Sequence, residues 1–244
     1  MIFYNSDLKC FSPSLINGQI FFSGFSTKDL GDGVKRETII NFLKNNEVDY
    51  KQLVVLNQIH STNISVVNRI KDSFLKVEDT DGAITNQPKT VLMTRSADCL
   101  PIVFCDLKTG LIGVSHQGWR GSIKQMAVKM VEEMVANGGS RQSIVAAIGP
   151  GINQCCYDID DDRYYQFLEE LDGYSDKVFL VHHGKKYLNL SMLNYLQLIK
   201  AGISKKNIDY FPFCTKCDKK RFFSYRRDKK AEFGEMFSFI MRYN

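Results

Sequence analysis

The sequence predicts a mixed α+β fold in one domain spanning residues 1–244. Three observations carry this expectation. Short β-type apolar runs outnumber convincing helices, they do not alternate with them regularly, and no linker divides the chain. No repeat, low-complexity tract or stretch rich in Pro, Gly or Ser interrupts the apolar segments, and only five prolines are present. A length of 244 residues, 44% hydrophobic and 24% charged, is ordinary for a globular protein with ample surface to bury.

The strand candidates are Gln19–Phe25, Gln52–Ile59, Thr90–Thr94, Pro101–Cys105, Leu111–Ser115, Ile144–Ile148, Val178–Val181 and Arg221–Tyr225. They are rich in Val, Ile, Phe or Leu, and several are bounded by Gly, Asp or Asn. From 90 to 116 three strands follow one another, with Leu107-Lys108-Thr109-Gly110 as a turn. That succession favours α+β over a doubly wound parallel sheet. Residues 120–136 predict a helix, with Ile123, Met126, Ala127, Met130, Val131, Met134 and Val135 on one face and Asn137-Gly138-Gly139 as its stop. The three methionines there suit core packing. Residues 161–171 and 190–201 are further helix candidates, the second ended by Gly202.

Charge and composition exclude several classes. A net charge of +5, from 32 basic and 27 acidic side chains, is too mild for a nucleic-acid surface, although it suits small anionic substrates. No basic-then-apolar leader opens the chain, and no apolar run approaches the ~20 residues of a membrane span. Seven cysteines, an odd number without a leader, predict free or metal-bound thiols in a reducing cytoplasm. The expected partners are small molecules, with no nucleic acid and no membrane, for a monomer or weak homo-oligomer.

Three chemically loaded runs stand out: LVVLNQIH (53–60), MTRSADCLPIVFCD (93–106) and GVSHQGWRG (113–121). They hold His60, Cys99 and His116, so two of the chain's four histidines fall here. Two imidazoles and a thiolate are a ligand set for a catalytic zinc with an open position. His60 ends an apolar strand, with Gln58 on the same face. Pro101 can start a strand but cannot sit at its centre, which puts Cys99 in the entry loop beside Asp98 and near Arg95. Cys105, inside an apolar run, is a core thiol by contrast.

His116 closes a strand. Gly118 and Gly121 allow a sharp bend into the next helix and a close approach of ligand to backbone. Arg120 lies at that helix's first turn, where free N–H groups favour anions. Trp119 is either core or the wall of a pocket for an aromatic base. Spacings of 39 and 17 positions exclude a compact zinc finger. A site assembled from separate strand ends is what a catalytic pocket requires, because a rigid scaffold fixes its groups. Asp98 is the candidate to orient an imidazole or handle a proton.

Other features weigh less. Cys214-Thr-Lys-Cys217 has zinc-like spacing and Cys155-Cys156 is another close pair. No second CxxC completes an all-cysteine site, so ordinary thiols are expected there. His182-His183 precedes Gly-Lys-Lys and reads as a solvated turn. The basic, aromatic run 219–230 is either an edge strand or a phosphate contact through Arg226 or Arg227.

NQIH, RSADCLPI, SHQGWRG, IGPGINQCCYDID and FFSYRRD, in order from about residue 20 to 228, together resemble the motifs of the YfiH family. That family carries laccase-like or multicopper oxidase-like labels. Its members are described as purine nucleoside phosphorylases with adenosine deaminase activity. The resemblance implies that His60, Cys99 and His116 hold zinc. It also implies a four-layered α/β/β/α arrangement with mixed sheets, related to that of a toxin with a Cys–His deamidase site. Two segments depart from the family pattern. Lys28 stands where an Arg- and Gly-rich loop usually has arginine, losing the bidentate fork. KKAEFGEMF replaces the usual Gly- and Arg-rich end after YRRD.

The expected function is therefore zinc-dependent phosphorolysis of adenosine, inosine and methylthioadenosine, with adenosine deamination at C6. Arg120, Lys28 and Arg226 are candidate phosphate contacts, and Gln58 and Trp119 candidate contacts to the nucleoside. A cysteine hydrolase acting on an amide such as a peptidoglycan precursor, with Cys99 as nucleophile and His116 or His60 as base, is the alternative. A single-copper oxidase or a non-catalytic metal-binding protein is a further one. Copper can replace zinc at such ligands, but four histidines cannot supply a multicopper cluster.

Overall fold

The computed structural model describes residues 1–16, 18–69, 72–171, 175–228 and 233–244. The last two residues of the basic run 219–230 and the first four of KKAEFGEMF fall outside these.

Two mixed sheets stack face to face. The first has seven strands in the order β1 (Ile2–Asn5), β2 (Cys10–Pro13), β3 (Phe21–Ser26), β16 (Met236–Arg242), β8 (Thr90–Ser96), β4 (Gln52–Leu56), β6 (Phe74–Val77). The second has six: β15 (Ile208–Tyr210), β11 (Ile144–Ile148), β9 (Leu100–Asp106), β10 (Ile112–Gln117), β7 (Gly82–Thr85), β5 (Ile64–Val66). A small third sheet joins β12 (Asp158–Ile159), β14 (Lys185–Leu188) and β13 (Phe179–His182). The helices are α1 (Arg36–Asn45), α2 (Trp119–Ile123), α3 (Met126–Ala136), α4 (Asp161–Glu170), α5 (Ser175–Val178) and α6 (Leu190–Lys200).

Successive residues of a strand point to opposite faces, so a strand between two apolar layers must be apolar throughout. In β4, Val54 and Leu56 enter the space between the sheets, while Leu53 and Val55 face outward. In β9, Val103 and Cys105 point between the sheets and Ile102 and Phe104 point out. Ile39, Phe42 and Leu43 of α1 cover the outer face of the seven-stranded sheet. Met126, Met130 and Met134 of α3, with Leu193 and Leu198 of α6, cover the six-stranded sheet. The result is the α/β/β/α layering expected, within an α+β architecture.

Most strand candidates appear near their expected bounds, and three features differ. The helix expected over 120–136 is two helices, α2 and α3, broken at Gln125, whose φ is +57°. The Ser122 carbonyl accepts from both Gln125 N–H and the Gln197 amide, which ends α2 early. Arg221–Tyr225 is not a strand. Its backbone donors are spent locally or on side chains, Phe222 N–H on the Asp218 carbonyl, Phe223 N–H on Met236 Sδ and Ser224 N–H on the Asp228 carboxylate, so no ladder forms. The unanticipated elements are α1, the short helix α5, the short strands β1, β2, β5, β6, β7, β12, β14 and β15, and β16, whose run MFSFIMR lies at the centre of the large sheet.

The register brings two connections and the end of β10 to one end of the stack. Strands β4 and β8 are parallel, so the loop after β4 and the turn after β8 emerge together. Strand β9 returns antiparallel to β10, setting His116 opposite Pro101. Phe42, 3% exposed, packs edge-on or tilted against Phe237 and Phe239 at 5.2 and 5.1 Å, in the layer on the outer face of the seven-stranded sheet, which holds none of the three ligands. Phe42→Ala should therefore lower the unfolding free energy in urea by about 3–5 kcal/mol and leave the metal content of the folded protein unchanged.

Candidate metal centre and its pocket

His60 lies in the loop after β4, Cys99 in the turn between β8 and β9 and His116 near the end of β10, and their ligand atoms all lie within 4.8 Å of one another. Cys99 Sγ is 3.9 Å from His60 Nε2. The two imidazoles meet edge to face with ring centres 4.9 Å apart. A tetrahedral zinc with ordinary bond lengths separates its N and S donors by about 3.6 Å, so the group closes on one ion with little movement. Gly118 makes room for it. A Cβ there would stand 2.8 Å from His60 Cδ2 and 3.3 Å from Cys99 Sγ.

The orienting carboxylate is Asp81, which sequence reasoning missed. Asp81 is fully buried and accepts from five donors: the backbone N–H groups of Ile59, His60 and Ser61, the Ser61 hydroxyl, and His116 Nδ1 at 2.8 Å. Holding Nδ1–H this way turns the Nε2 lone pair of His116 toward Cys99 and His60, the tautomer a metal requires. Nothing in the spacing of Thr-Asp-Gly at 80–82 marks it, because the contact joins segments about 20 and 35 positions apart.

Asp98 does not take the orienting role expected of it. Its carboxylate accepts from the Thr215 and Ser224 hydroxyls at 2.6 and 2.9 Å and from Arg226 N–H at 2.7 Å. Those bonds tie the Cys99 loop to the segment after β15. Two of the eight non-glycine residues with positive φ lie at the site: His60 at +60° and Asp98 at +87°, uncommon for residues with a Cβ.

Electrostatics prepare the thiol. Burial works against ionisation of Cys99, but the charge and hydrogen bonding of His116, then those of His60, outweigh it and bring the thiol down to about 7. For His116, burial opposes protonation, yet Cys99 and Asp81 raise its pKa to about 10. Burial also disfavours the Asp81 anion, and the His116 and Ser61 bonds overcome this and hold it below the usual carboxylate range. Without metal the trio thus stores a thiolate beside an imidazolium. Cys105 shows the opposite behaviour, its thiol pushed far up by burial and then by Asp106.

The trio lies in a cavity of about 680 Å³ whose walls include Gln58, Asp98, Trp119, Arg120 and Arg226. Gln58 spends both ends of its amide on the main chain of Arg95, at 2.7 and 2.8 Å, and so braces two loops. The guanidinium groups of Arg120 and Arg163 each sit 4.5 Å from the Trp119 ring centre. Trp119 therefore carries two cations instead of a bare aromatic face. Arg226 donates to the side chain and carbonyl of Asp158, both at 3.1 Å. Lys28 is not among the lining residues; its ammonium rests 5.0 Å from the Phe223 ring centre. Arg95 and Arg163 line the cavity instead, each with a buried Nε that has no hydrogen-bond partner.

Residues 21–243 match the family described as multi-copper polyphenol oxidoreductase laccase. The chain belongs to this family. An adenosine deaminase, RL5, from an unknown prokaryotic organism is 31% identical over 87% of this chain and 85% of its own length. A purine nucleoside phosphorylase, YlmD, of Bacillus subtilis (strain 168) is 30% identical over 92% and 89%. The crystal structure of the hypothetical protein YfiH of Bacillus licheniformis has a TM-score of 0.82 at 31% identity, covering 91% and 92% of the two chains. That of YlmD from Geobacillus stearothermophilus has a TM-score of 0.83 at 28% identity over 95% and 94%.

The family's laccase description meets a shortage of imidazole in this member. Of four histidines, His182 and His183 sit exposed on the β13–β14 hairpin. His60 and His116 are what remains, enough for one ion. No helix among the described residues is long and apolar enough to cross a membrane.

The pKa directions give a pH test on protein stripped of metal. Alkylation of Cys99 by iodoacetamide should follow a thiolate with midpoint near pH 7. Asp81→Asn removes one of the two anions that keep His116 charged, so the midpoint should climb toward the ordinary thiol value and zinc affinity should fall about 10–100-fold. Peptide mapping of the alkylated protein and a zinc titration check the two outcomes.

Proposed function

We propose that the protein is a zinc-dependent purine nucleoside enzyme built as one catalytic domain over residues 1–244. It splits adenosine, inosine and methylthioadenosine with phosphate to the free base and ribose 1-phosphate, and it deaminates adenosine. The observation that carries this reading is the open three-ligand group at the wall of a cavity rimmed by arginines. The names of the relatives supply the substrate class.

In this reading His60, Cys99 and His116 hold the metal, and Asp81 keeps His116 in the ligating tautomer. Zinc so held would supply a Lewis acid at neutral pH. Arg163 and Arg120, stiffened against Trp119, bind phosphate, with Arg95 and Arg226 adding positive charge around it. Tyr225 and Phe233, edge to face 5.8 Å apart at the cavity rim, offer the base an apolar wall. Asp98 acts as a positioning residue through Thr215, Ser224 and Arg226. A reducing cytoplasm suits the seven free thiols.

The preformed pairing of Cys99 with His116 favours one second reading, a cysteine hydrolase in which Cys99 attacks an amide carbonyl and His116 carries the proton. Zinc ligation and nucleophilic attack by the same thiolate exclude each other, so metal content separates the two.

The test is to quantify zinc and copper in the purified protein and follow adenosine by mass spectrometry with and without phosphate. Phosphate-dependent release of adenine and ribose 1-phosphate, together with inosine, is expected. Cys99→Ala should abolish turnover and lower the zinc content. Full activity and full metal in that variant would sink the assignment. Arg163→Ala should raise KM for phosphate about tenfold or more, the scale of one charged hydrogen bond, while adenosine deamination stays close to normal.

A further inference from the structure

The chain's two cysteine pairs, 58 positions apart in sequence from Cys156 to Cys214, converge in space. The Sγ atoms of Cys155, Cys156, Cys214 and Cys217 all lie within 4.8 Å of one another. Cys217 Sγ is 3.6 Å from that of Cys155 and 3.4 Å from that of Cys156. Four thiolates around a zinc at ordinary bond length are about 3.8 Å apart. A disulfide would instead bring two sulfurs to about 2.05 Å and leave the others out.

Local backbone structure explains how adjacent residues can both point inward. Side chains of neighbours diverge in a strand, but residues 154–156 form a turn in which the N–H groups of Cys156 and Tyr157 both donate to the Asn153 carbonyl. On the other side, Gly151 pairs with Cys214 as an isolated bridge, and Thr215 N–H donates to the Gly151 carbonyl. Asn153 N–H donates to Cys214 Sγ at 3.3 Å, the kind of outer contact that orients a sulfur ligand. The group contains no histidine and no carboxylate, and four sulfurs leave no open coordination position. Its compactness leaves space for a single ion, because a cluster of several irons would hold its thiolates farther apart. Lys216, Lys219 and Lys220 follow in the same segment and offset the negative charge of a four-thiolate site.

We propose that Cys155, Cys156, Cys214 and Cys217 form a second metal centre, a closed structural site that takes one tetrahedral zinc ion. Its place in the fold gives it work. The segment it pins continues through Thr215 and Ser224, which hold Asp98, to Tyr225 and Arg226 on the cavity wall. Arg227 adds a second clasp by donating to the carbonyls of Thr215 and Lys216. The other side of the centre leads directly into Tyr157, which lines the same cavity. The metal would therefore staple two cavity walls that belong to distant parts of the sequence. This inference does not depend on the activity proposed above.

The test uses the full chain, purified under reductant, with metals counted by elemental mass spectrometry. The unaltered protein should hold two zinc equivalents. Cys155→Ser/Cys217→Ser should lose one of them. His60→Ala/Cys99→Ser should keep one, and after exchange with cobalt it should show the intense sulfur-to-cobalt charge-transfer absorption of a four-thiolate site. If the cysteine double variant does not fold, the His60→Ala/Cys99→Ser arm decides alone. A His60→Ala/Cys99→Ser protein without zinc or absorption would overturn the proposal. So would an intact mass showing a disulfide among the four cysteines in freshly prepared protein, or iron in place of zinc.

Discussion

The buried carboxylate of Asp81 is the constraint on which the His60/Cys99/His116 group depends. A fully buried charge is tolerated only when nearly all of its lone pairs are used. Here five donors use them, and four come from the loop over residues 59–61. That loop crosses from β4 of the seven-stranded sheet to β5 of the six-stranded one, and Asp81 directly precedes β7 beside β10, which carries His116. The carboxylate thereby pins the crossover at the end where the ligands meet. Holding three consecutive N–H groups also compensates the left-handed backbone at His60. Strain at that residue is the cost of turning its imidazole inward.

Asp98 repeats the arrangement for the third ligand. Its backbone is strained too, its side chain is saturated by donors, and it fixes the loop that carries Cys99. The donors come from residues 215–226, the segment reached by the four-cysteine group. The imidazole ligands thus lean on one aspartate and the thiolate on another. Both supports lie outside the ligand set, and each crosses between segments the chain keeps far apart.

This explains which parts of the molecule were legible in the sequence. Strands β4, β8, β9, β10 and β11 face apolar layers on both sides, so each carries a short, mainly apolar stretch that declares itself. The ligands His60, Cys99 and His116 were legible because each ends such a run and because imidazole and thiolate are scarce. Asp81 was not, since a carboxylate next to a short strand resembles any solvated turn until its donors are known. Arg221–Tyr225 imitated a strand for a similar reason. Phe222 and Ser224 are both buried, so burial alternates with period two, yet the N–H groups of Phe223 and Ser224 are spent on Met236 and Asp228. Strand β16 and helix α1 did carry a readable signal, five apolar residues in the run MFSFIMR and an Ile39/Phe42/Leu43 stripe. The four-cysteine group was hidden by topology: half of it is an adjacent pair, a spacing that becomes useful only in a turn.

The two thiol-bearing groups differ in ways that assign them different work. The His60/Cys99/His116 group has three ligands, an orienting carboxylate and an open side facing a cavity, and its thiol ionises near neutrality even without metal. The four-cysteine group has no open position and lies under a segment that shapes the cavity wall. An enzyme needs the first kind of site for chemistry and the second to hold its walls at a fixed separation, because a displacement of about 1 Å can cost about 100-fold in rate. The laccase description of the family fits neither group, since multicopper chemistry needs many imidazoles around several ions. With only two histidines at the cavity, oxidation would have to run through a single copper, and no methionine lines the cavity as the axial ligand such sites commonly use. The two imidazoles, one thiolate and four arginines that face the cavity match the polar group transfer proposed for it.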